Sequence, residues 1–298
     1  MSSGRKGRAS KIQLNSFDDL FGFGNEIKQE TNTSEQVMEL ALDDLHTFKN
    51  HPFRVLDDTK MEETVESIKK HGVLMPGIAR PRAEGGYEII AGHRRKRANE
   101  LAGKTTMPLF VRNYTDDEAT VIMVDTNIQR EDILPSEKAK AYRMKFEAVK
   151  HQGKRTGGNS FDEIGETAGE SGKTVQRYIW LSRLNEELLE MVDNKKLGIV
   201  QGTDISFLAE DEQEWVVQLL MEQKVNVSTE QSGKLKEYAK KGELTKAMAE
   251  LILSEQKPKE RKLTIKAEKV SQYFPEDYTE KEMEAVILEL LEEWKGRG

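Results

Sequence analysis

Residues 87–103 read YEIIAGHRRKRANELAG, and this stretch decides the fold of the first half of the chain. Tyr87–Ala91 is an apolar run typical of a strand, and a helix is predicted across Arg94–Leu101, with Gly92 between them. A helix N-terminus offers free N–H groups and a partial positive charge, and glycine lets an anion approach the backbone. Cations in the first turn oppose the helix dipole, so we expect an anion here, either a phosphate or the DNA backbone. A solvated basic face is the alternative.

The residues around this turn predict a mixed α/β segment over 36–150. Thr59-x-x-Glu62 has the pattern of a capping box and opens a helix that ends near Gly72. Further strands are predicted at Gly77–Arg80 and Met107–Arg112. Local signals that complete the pattern are a hairpin at Glu84-Gly85-Gly86, a second capping box at Thr115-x-x-Glu118, and a helix opened by Pro135.

A second polar cluster, DTNIQRED at 125–132, lies between two predicted helices. Asn127 and Gln129 carry amide groups and Arg130 carries a guanidinium fork, a set suited to phosphate oxygens or a metal-bound nucleotide. A plain polar loop explains the cluster equally well.

Residues 161–180, FDEIGETAGESGKTVQRYIW, match the helix-turn-helix template. Gly165 allows the helices to cross closely, and Gly169 supplies the turn. A plain helical hairpin is the alternative. The second helix exposes residues able to contact phosphates and base edges, and these are the candidate DNA-binding set: Ser171, Lys173, Thr174, Gln176 and Arg177. The predicted interface is not strongly basic. Its five basic residues, Lys154, Arg155, Lys173, Arg177 and Arg183, face four acids, Asp162, Glu163, Glu166 and Glu170.

These signals predict an α+β protein in four parts. A disordered tail over 1–35 precedes the mixed domain at 36–150, and a helical DNA-binding domain covers 151–256. The last part, 257–298, carries a brief strand candidate, Leu263–Ile265, and an amphipathic helix opened by Thr279. Its apolar stripe either forms a dimer contact or packs within its own segment, against Leu263, Ile265 and Tyr273.

The composition excludes several further classes of function. The 298 residues carry a net charge of −7, with 36% hydrophobic and 33% charged residues. The sequence contains neither a bilayer-length apolar run nor the apolar core of a secretory signal, so we expect a cytoplasmic protein without a membrane partner. The absence of cysteine excludes disulfides and thiolate chemistry, and the 5 histidines lack metal-ligand spacing. The overall acidity leaves DNA binding to local basic patches.

Four ordered blocks resemble the N-terminal domain of the ParB family of partition proteins. They are HPFR at 51–54, GVLMP at 72–76, GHRR at 92–95 and TNIQR at 126–130, and the resemblance extends over about residues 46–190. It implies a CTP-binding clamp related in fold to sulfiredoxin, followed by an all-α helix-turn-helix domain. The implied nucleotide-binding set is Gly72, Val73, Pro76, Gly77, Gly92, His93, Arg94, Arg95, Asn127, Gln129 and Arg130, with Asn127 also helping to hold Mg²⁺.

Two residues depart from the family pattern. His93 and Thr126 replace glutamates, and so remove the carboxylates best placed to bind Mg²⁺ or orient a water. We therefore expect slow or absent CTP hydrolysis. Asp125, one residue before Thr126, can replace the missing glutamate only if the loop shifts its register.

The leading hypothesis is a nucleotide-gated, site-specific partition protein of a plasmid, phage or integrated element, associated with the nucleoid. The weak basic surface favours a homodimer on a palindromic double-stranded site. The resemblance further implies a ParA-type ATPase as partner, contacted through the N-terminal tail at Arg5, Lys6, Arg8 and Lys11. The alternatives are a transcriptional regulator without the nucleotide switch and, third, a nuclease.

Overall fold

The computed structural model describes residues 37–152, 160–223, 226–254, 267–275 and 277–297. The predicted tail and the strand candidate at Leu263–Ile265 lie outside these residues. Contacts divide the chain into two compact units, Met1–Ser254 and Glu255–Gly298. The predicted boundary at residue 150 falls inside the first unit.

A five-stranded mixed sheet forms the first half of that unit, in the order β1-β5-β3-β4-β2. The outer pairs join β1 to β5 antiparallel and β2 to β4 parallel, and the central strand β3 pairs with β5 in parallel and with β4 antiparallel. The strands are β1 (Val37–Ala41), β2 (Leu45–Thr47), β3 (Gly77–Pro81), β4 (Tyr87–Ala91) and β5 (Thr106–Val111), with a short 3-10 turn at Leu42–Asp44. This sheet, with the helices that surround it, confirms the predicted α+β class.

Three helices lie between or after these strands: α1 (Thr59–His71), α2 (His93–Leu101) and α3 (Asp116–Asp125). The Thr115 capping box that opens α3 is present as predicted. The predicted box at Thr59 is wrong, because Thr59 is already helical and the cap is Asp58, whose carboxylate accepts from the Met61 amide at 2.8 Å. Helix α1 ends at His71, next to the predicted Gly72, which is the C-cap and has φ 71°.

The rest of the first unit is helical. It contains α4 (Pro135–His151), α5 (Ser160–Glu166), α6 (Gly172–Leu181), α7 (Glu186–Asp193), α8 (Ile199–Ile205), α9 (Glu210–Gln223), α10 (Thr229–Lys241) and α11 (Lys246–Ser254). Helices α5 and α6 are the two helices of the predicted helix-turn-helix, and Gly169 between them has φ 66°. At Gly165 a Cβ would overlap the Glu170 carbonyl oxygen, so the helices cross where only glycine fits.

One hydrophobic cluster joins the sheet half to the helix-turn-helix. Ile90 of β4 and Met123 of α3 belong to it, and so do Tyr142 of α4, Ile164 of α5 and Val175 of α6. All five side chains are at most 1% exposed. Helices from both predicted domains therefore share a core.

The second unit contains α12 (Ala267–Ser271) and α13 (Glu280–Gly296), the latter opened by the predicted Thr279 capping box. Its apolar stripe is largely uncovered, with Leu290 59% and Trp294 76% exposed. Tyr273, offered as an internal packing partner, is itself 80% exposed. Within the described residues of either unit, no helix is long and apolar enough to span a bilayer.

Candidate nucleotide and nucleic-acid site

The glycine turn sits where β4 passes into α2. Gly92 adopts the left-handed conformation, with φ 113°, and so turns the chain directly into the first turn of the helix. A Cβ at this position would lie 3.3 Å from the Cα of Gly77 on the neighbouring strand. The absence of a side chain leaves the free N–H groups of α2 open to an anion.

The structure brings the glycine turn and the amide-rich loop together. Both line one open cleft of about 170 Å³. From the predicted set the lining includes Gly92, His93, Arg94, Arg95, Asn127 and Arg130, joined by His51, Val55, Ala91 and Thr126. The size and lining of the cleft fit a chain of phosphates better than an apolar ligand.

The cations of α2 already have partners inside the protein. Arg94 forms an ion pair with Asp58 at 3.0 Å, and Arg97 pairs with Asp57 at 2.6 Å. The sequence argument that these cations need an external anion is therefore incomplete, because the segment before α1 supplies two carboxylates. Of these two carboxylates, that of Asp57 is half exposed, and that of Asp58 also caps α1.

Arg95 takes a different role. Its guanidinium donates to the carbonyl oxygens of Met75 and Pro76, the latter at 2.7 Å. Burial lowers the pKa of Arg95, which still leaves this guanidinium charged at neutral pH. A partly buried cation with no carboxylate partner among the described residues favours the approach of an anionic ligand.

Two histidines form the wall of the cleft. The rings of His51 and His93 lie 3.9 Å apart between centroids. Burial, followed by the neighbouring charges of His51 and Lys96, lowers the pKa of His93 to about 3, and burial lowers that of His51 as well. Both rings are therefore neutral at physiological pH. Sequence reasoning missed His51, although it begins the HPFR block.

His51 leaves one polar atom without a partner. Its Nδ1 donates to the carbonyl oxygen of Phe53 at 2.8 Å, which makes Nε2 the acceptor nitrogen of a neutral ring. That Nε2 is buried and has no hydrogen-bond partner among the described residues. A donor group on a bound ligand would satisfy it.

The residues around the cleft are a poor fit for Mg²⁺. Within the described part of the chain, the lining includes neither Asp nor Glu, and no group of three or more acidic or histidine side chains is placed to hold a metal. Asn127 donates its Nδ2 to the Met123 carbonyl at 2.9 Å, which leaves a single amide oxygen as a ligand. Mg²⁺ sites on nucleotides normally use one or two carboxylates beside the phosphates.

Asp125 cannot fill that gap, because its carboxylate points away from the cleft. It accepts from Lys145 Nζ at 2.5 Å and from the Thr167 hydroxyl at 2.9 Å. On the other side of Asn127, Gln129 donates to the Thr167 carbonyl at 2.5 Å. Gln129 therefore lies outside the cleft lining, and the loop is tied to the helix-turn-helix from both sides.

The segment predicted to border the base divides into three parts. Gly72 and Val73 line an adjoining pocket that shares Arg95 with the main cleft. Pro76 contributes its carbonyl oxygen to Arg95. Gly77 is buried within β3, where a Cβ would lie 2.7 Å from Leu109 and 2.8 Å from the Ala91 oxygen. Gly77 serves close strand packing and does not face either pocket.

The second helix of the helix-turn-helix, α6, presents most of its predicted contact residues. Lys173 and Arg177 are exposed, and Thr174 and Gln176 are partly exposed. Ser171 is also exposed, but it is the N-cap of α6 and accepts from the Thr174 amide at 3.3 Å. Its hydroxyl thus holds the start of the helix as well as facing outward.

Two of the acids expected on this surface are engaged inside the protein. Asp162 accepts from the Gly172 amide at 2.6 Å, and Glu170 is bonded by Lys138 and by the Tyr142 hydroxyl, the latter at 2.8 Å. Burial and the Glu170 carboxylate raise the pKa of Tyr142. Lys138 therefore balances the charge of Glu170, whereas Asp162 is exposed and keeps its charge on this surface.

Comparisons with known proteins find similarity in the α+β part of the chain and beyond it. Residues 26–128 match the ParB N-terminal domain family. The nucleoid occlusion protein of Halalkalibacterium halodurans is 29% identical over 71% of this chain and 72% of its own. The probable chromosome 1-partitioning protein ParB of Deinococcus radiodurans is 31% identical over 65% of this chain and 64% of its own. Residues 26–128 are therefore similar to the N-terminal domain of the ParB family, and the similarity to these relatives extends beyond that domain.

A solved structure is similar over part of the chain. It is a C-terminally truncated ParB from Caulobacter crescentus in complex with the centromeric parS site, 25% identical, covering 68% of this chain and 99% of its own, with a TM-score of 0.42.

Proposed function

We propose that this protein is a site-specific, double-stranded DNA-binding partition protein of the ParB type, gated by CTP and associated with the nucleoid. One observation carries the proposal: the stretch Gly92 to Arg95 lines the same cleft as Asn127 and Arg130. That convergence is what a triphosphate site requires, and the helix-turn-helix shares a core with it.

The cleft supplies the groups that a triphosphate needs. Gly92 precedes the first turn of α2, where the backbone N–H groups lack helical partners, and Arg95 and Arg130 in the cleft lining add positive charge. Arg130 has a loose ion pair with Asp132 at 3.5 Å, which a phosphate group would replace. The adjoining pocket at Gly72 and Val73 is the expected place for the base.

Hydrolysis is expected to be slow. A bound Mg²⁺ would neutralise phosphate charge, but this chain offers it an amide oxygen and no carboxylate within the described cleft. We propose that the bound nucleotide acts mainly as a ligand that holds one conformation.

DNA reading is assigned to Lys173, Thr174, Gln176 and Arg177 on α6, with Ser171 fixing the start of that helix. A single such surface is small, so the proposal includes a homodimer on a palindromic site. The uncovered stripe of α13, with Leu290 and Trp294 exposed, supports a contact between two copies. A ParA-type ATPase remains the proposed partner of the tail, whose residues lie outside those described.

The proposal is tested by titrating CTP, ATP and GTP into the purified protein, with and without DNA. We expect CTP to bind and Arg130→Gln to weaken its binding by about tenfold, the scale of one charge-assisted contact. Arg82→Gln is the matched control, since Arg82 pairs with Glu84 on the hairpin. Equal affinity for all three nucleotides, or no binding at all, would contradict the nucleotide gate.

A transcriptional regulator without a nucleotide switch is the second candidate. The observation that favours it is the ion pair between Arg94 and Asp58, which leaves less unbalanced charge for a phosphate. DNA binding that is identical with and without CTP, by a protein that does not bind the nucleotide, would support this candidate.

A further inference from the structure

A second cationic surface lies beside the helix-turn-helix and is centred on the ring of Phe207. Lys236 Nζ lies 4.4 Å from the ring centroid, Lys240 Nζ lies 4.9 Å from it, and the guanidinium carbon of Arg183 lies 5.9 Å from it. Trp180 meets the same ring edge-on, at 5.1 Å between centroids. Three cations therefore gather around one aromatic side chain.

The charges of this surface are only partly balanced. Lys236 pairs with Asp204 at 2.8 Å. Within the described ranges, Arg183 and Lys240 form no ion pair, although most arginines of the cleft do. Cation–π contacts at exposed sites are worth about 0.5–1 kcal/mol each, and they do not remove the repulsion between neighbouring cations. The surface therefore carries excess positive charge that an anionic partner would stabilise.

This surface continues the DNA-reading face of α6. Lys173, Arg177 and Trp180 are spaced by four and three residues, which places them on one face of the helix. Trp180 contacts Phe207, and Lys236 and Lys240 of α10 lie over the same ring. The described cations thus extend from the start of the reading helix across to α10.

We propose that Arg183, Lys236 and Lys240 bind the phosphodiester backbone of double-stranded DNA that flanks the segment read by α6. The inference rests on the proposed function, because it places a known kind of contact next to the predicted reading helix. Lysines are suited to this role, since they act as mobile point charges on phosphate oxygens. Phosphate contacts fix the position of a protein on DNA but carry no sequence information.

The test compares Lys240→Ala with Lys241→Ala. Lys241 is adjacent in the chain, but it pairs with Glu237 at 2.7 Å and lies over a different ring, that of Tyr238. Binding of the full chain is measured by fluorescence anisotropy on a 30-base-pair duplex carrying the site selected by the unmodified protein from a randomised pool, and on a scrambled duplex of the same composition. Arg183→Gln provides a second variant, and Arg177→Ala removes a proposed base-reading residue.

We expect Lys240→Ala and Arg183→Gln each to weaken binding about three- to tenfold on both duplexes, and to reduce the slope of log affinity against log salt by about 0.9. Lys241→Ala should change neither the affinity nor the salt slope. Equal binding by the two lysine variants overturns the inference, and so does a loss confined to the selected site. If the unmodified protein binds neither duplex, the proposed function itself fails. If Arg177→Ala binds the selected site more weakly while Lys240→Ala and Arg183→Gln bind as the unmodified protein does, the proposed function stands. Only the second surface is then rejected.

Discussion

Lys145 donates a hydrogen bond from Nζ to Oδ1 of Asp125 at 2.5 Å, and each side chain is 6% exposed. The same ammonium donates to the Thr167 hydroxyl at 2.9 Å. Asp125 ends the helix before the cleft loop, Lys145 belongs to α4, and Thr167 lies in the turn after α5. One buried ion pair therefore joins three elements, two of which carry the proposed nucleotide and DNA sites.

Lys145→Met is expected to destabilise the protein strongly. The variant leaves a buried carboxylate without its cation, which costs about 3–5 kcal/mol of unfolding free energy. Arg143→Met on the same helix is the control, because its pair with Glu147 is about half exposed on both sides and should contribute less than about 1 kcal/mol. Urea denaturation of both variants measures the difference. Similar midpoints for the two would show that the buried pair contributes little.

Gly92→Ala should affect both stability and nucleotide binding. The substitution forces a side chain into φ 113° and brings its Cβ to 3.3 Å from the Cα of Gly77, so we expect a loss of about 1–3 kcal/mol. Gly85→Ala is matched for positive φ, at 92°, but a Cβ there meets nothing within 4 Å. Only Gly92→Ala should weaken CTP binding. Thermal unfolding and nucleotide titration of the two variants distinguish backbone strain from loss of the anion site.

His93 should make the protein less stable in mild acid. Its pKa is about 3 in the folded chain against 6.5 when unfolded, so the unfolded state binds more protons as pH falls below 6.5. The contribution is fully present above pH 6.5 and decreases toward pH 3, and amounts to about 2 kcal/mol lost at pH 5.

The measurement compares unfolding free energies at pH 7.5 and pH 5 for the unmodified chain and His93→Gln. The variant should lose less stability between the two values. Nuclear magnetic resonance of the imidazole of His93 should show no titration above pH 4.5, and a midpoint near 6.5 would contradict the buried, neutral ring.

Gly165→Ala should disrupt the helix-turn-helix. Its Cβ would overlap the Glu170 carbonyl oxygen and lie 3.0 Å from Val175, so the two helices must move apart. We expect a loss of 2 kcal/mol or more, by analogy with overpacked cores at about 1–3 kcal/mol. Gly233→Ala within α10 is the control, since a Cβ there meets nothing within 4 Å and alanine favours a helix by about 1 kcal/mol. Opposite shifts in melting temperature are expected, and a stabilising Gly165→Ala would refute the close crossing.

The features that the sequence predicts well are local ones. The turn at Gly92, the caps at Thr115 and Thr279, and the hairpin glycines depend on residues within one turn of each other. The helix-turn-helix is also predictable from the sequence, because Gly165 lies where a Cβ would overlap the Glu170 carbonyl oxygen and Gly169 has a positive φ. Strands β1 and β2 are not predicted from the sequence. Both lie at the edges of the sheet, and β2 has only 3 residues.

The contacts that the sequence does not reveal join distant positions. Arg94 and Asp58 are separated by 36 residues, Tyr142 and Glu170 by 28, and Thr167 and Asp125 by 42. The sequence is equally compatible with each of these acids being exposed, so the pattern of charges alone predicts a surface position for it. Their pairing follows from which elements pack together, and that arrangement is a property of the whole unit.

The hydrophobic cluster that joins Ile90 and Met123 to Ile164 and Val175 limits where this protein can be divided into fragments that fold. A fragment beginning at α5 would present the apolar inner side of the reader to water, and would leave Glu170 without Lys138 and Tyr142. Transplanting the DNA reader into a relative therefore means moving α4 with it, so that the specificity module of this protein is larger than its helix-turn-helix.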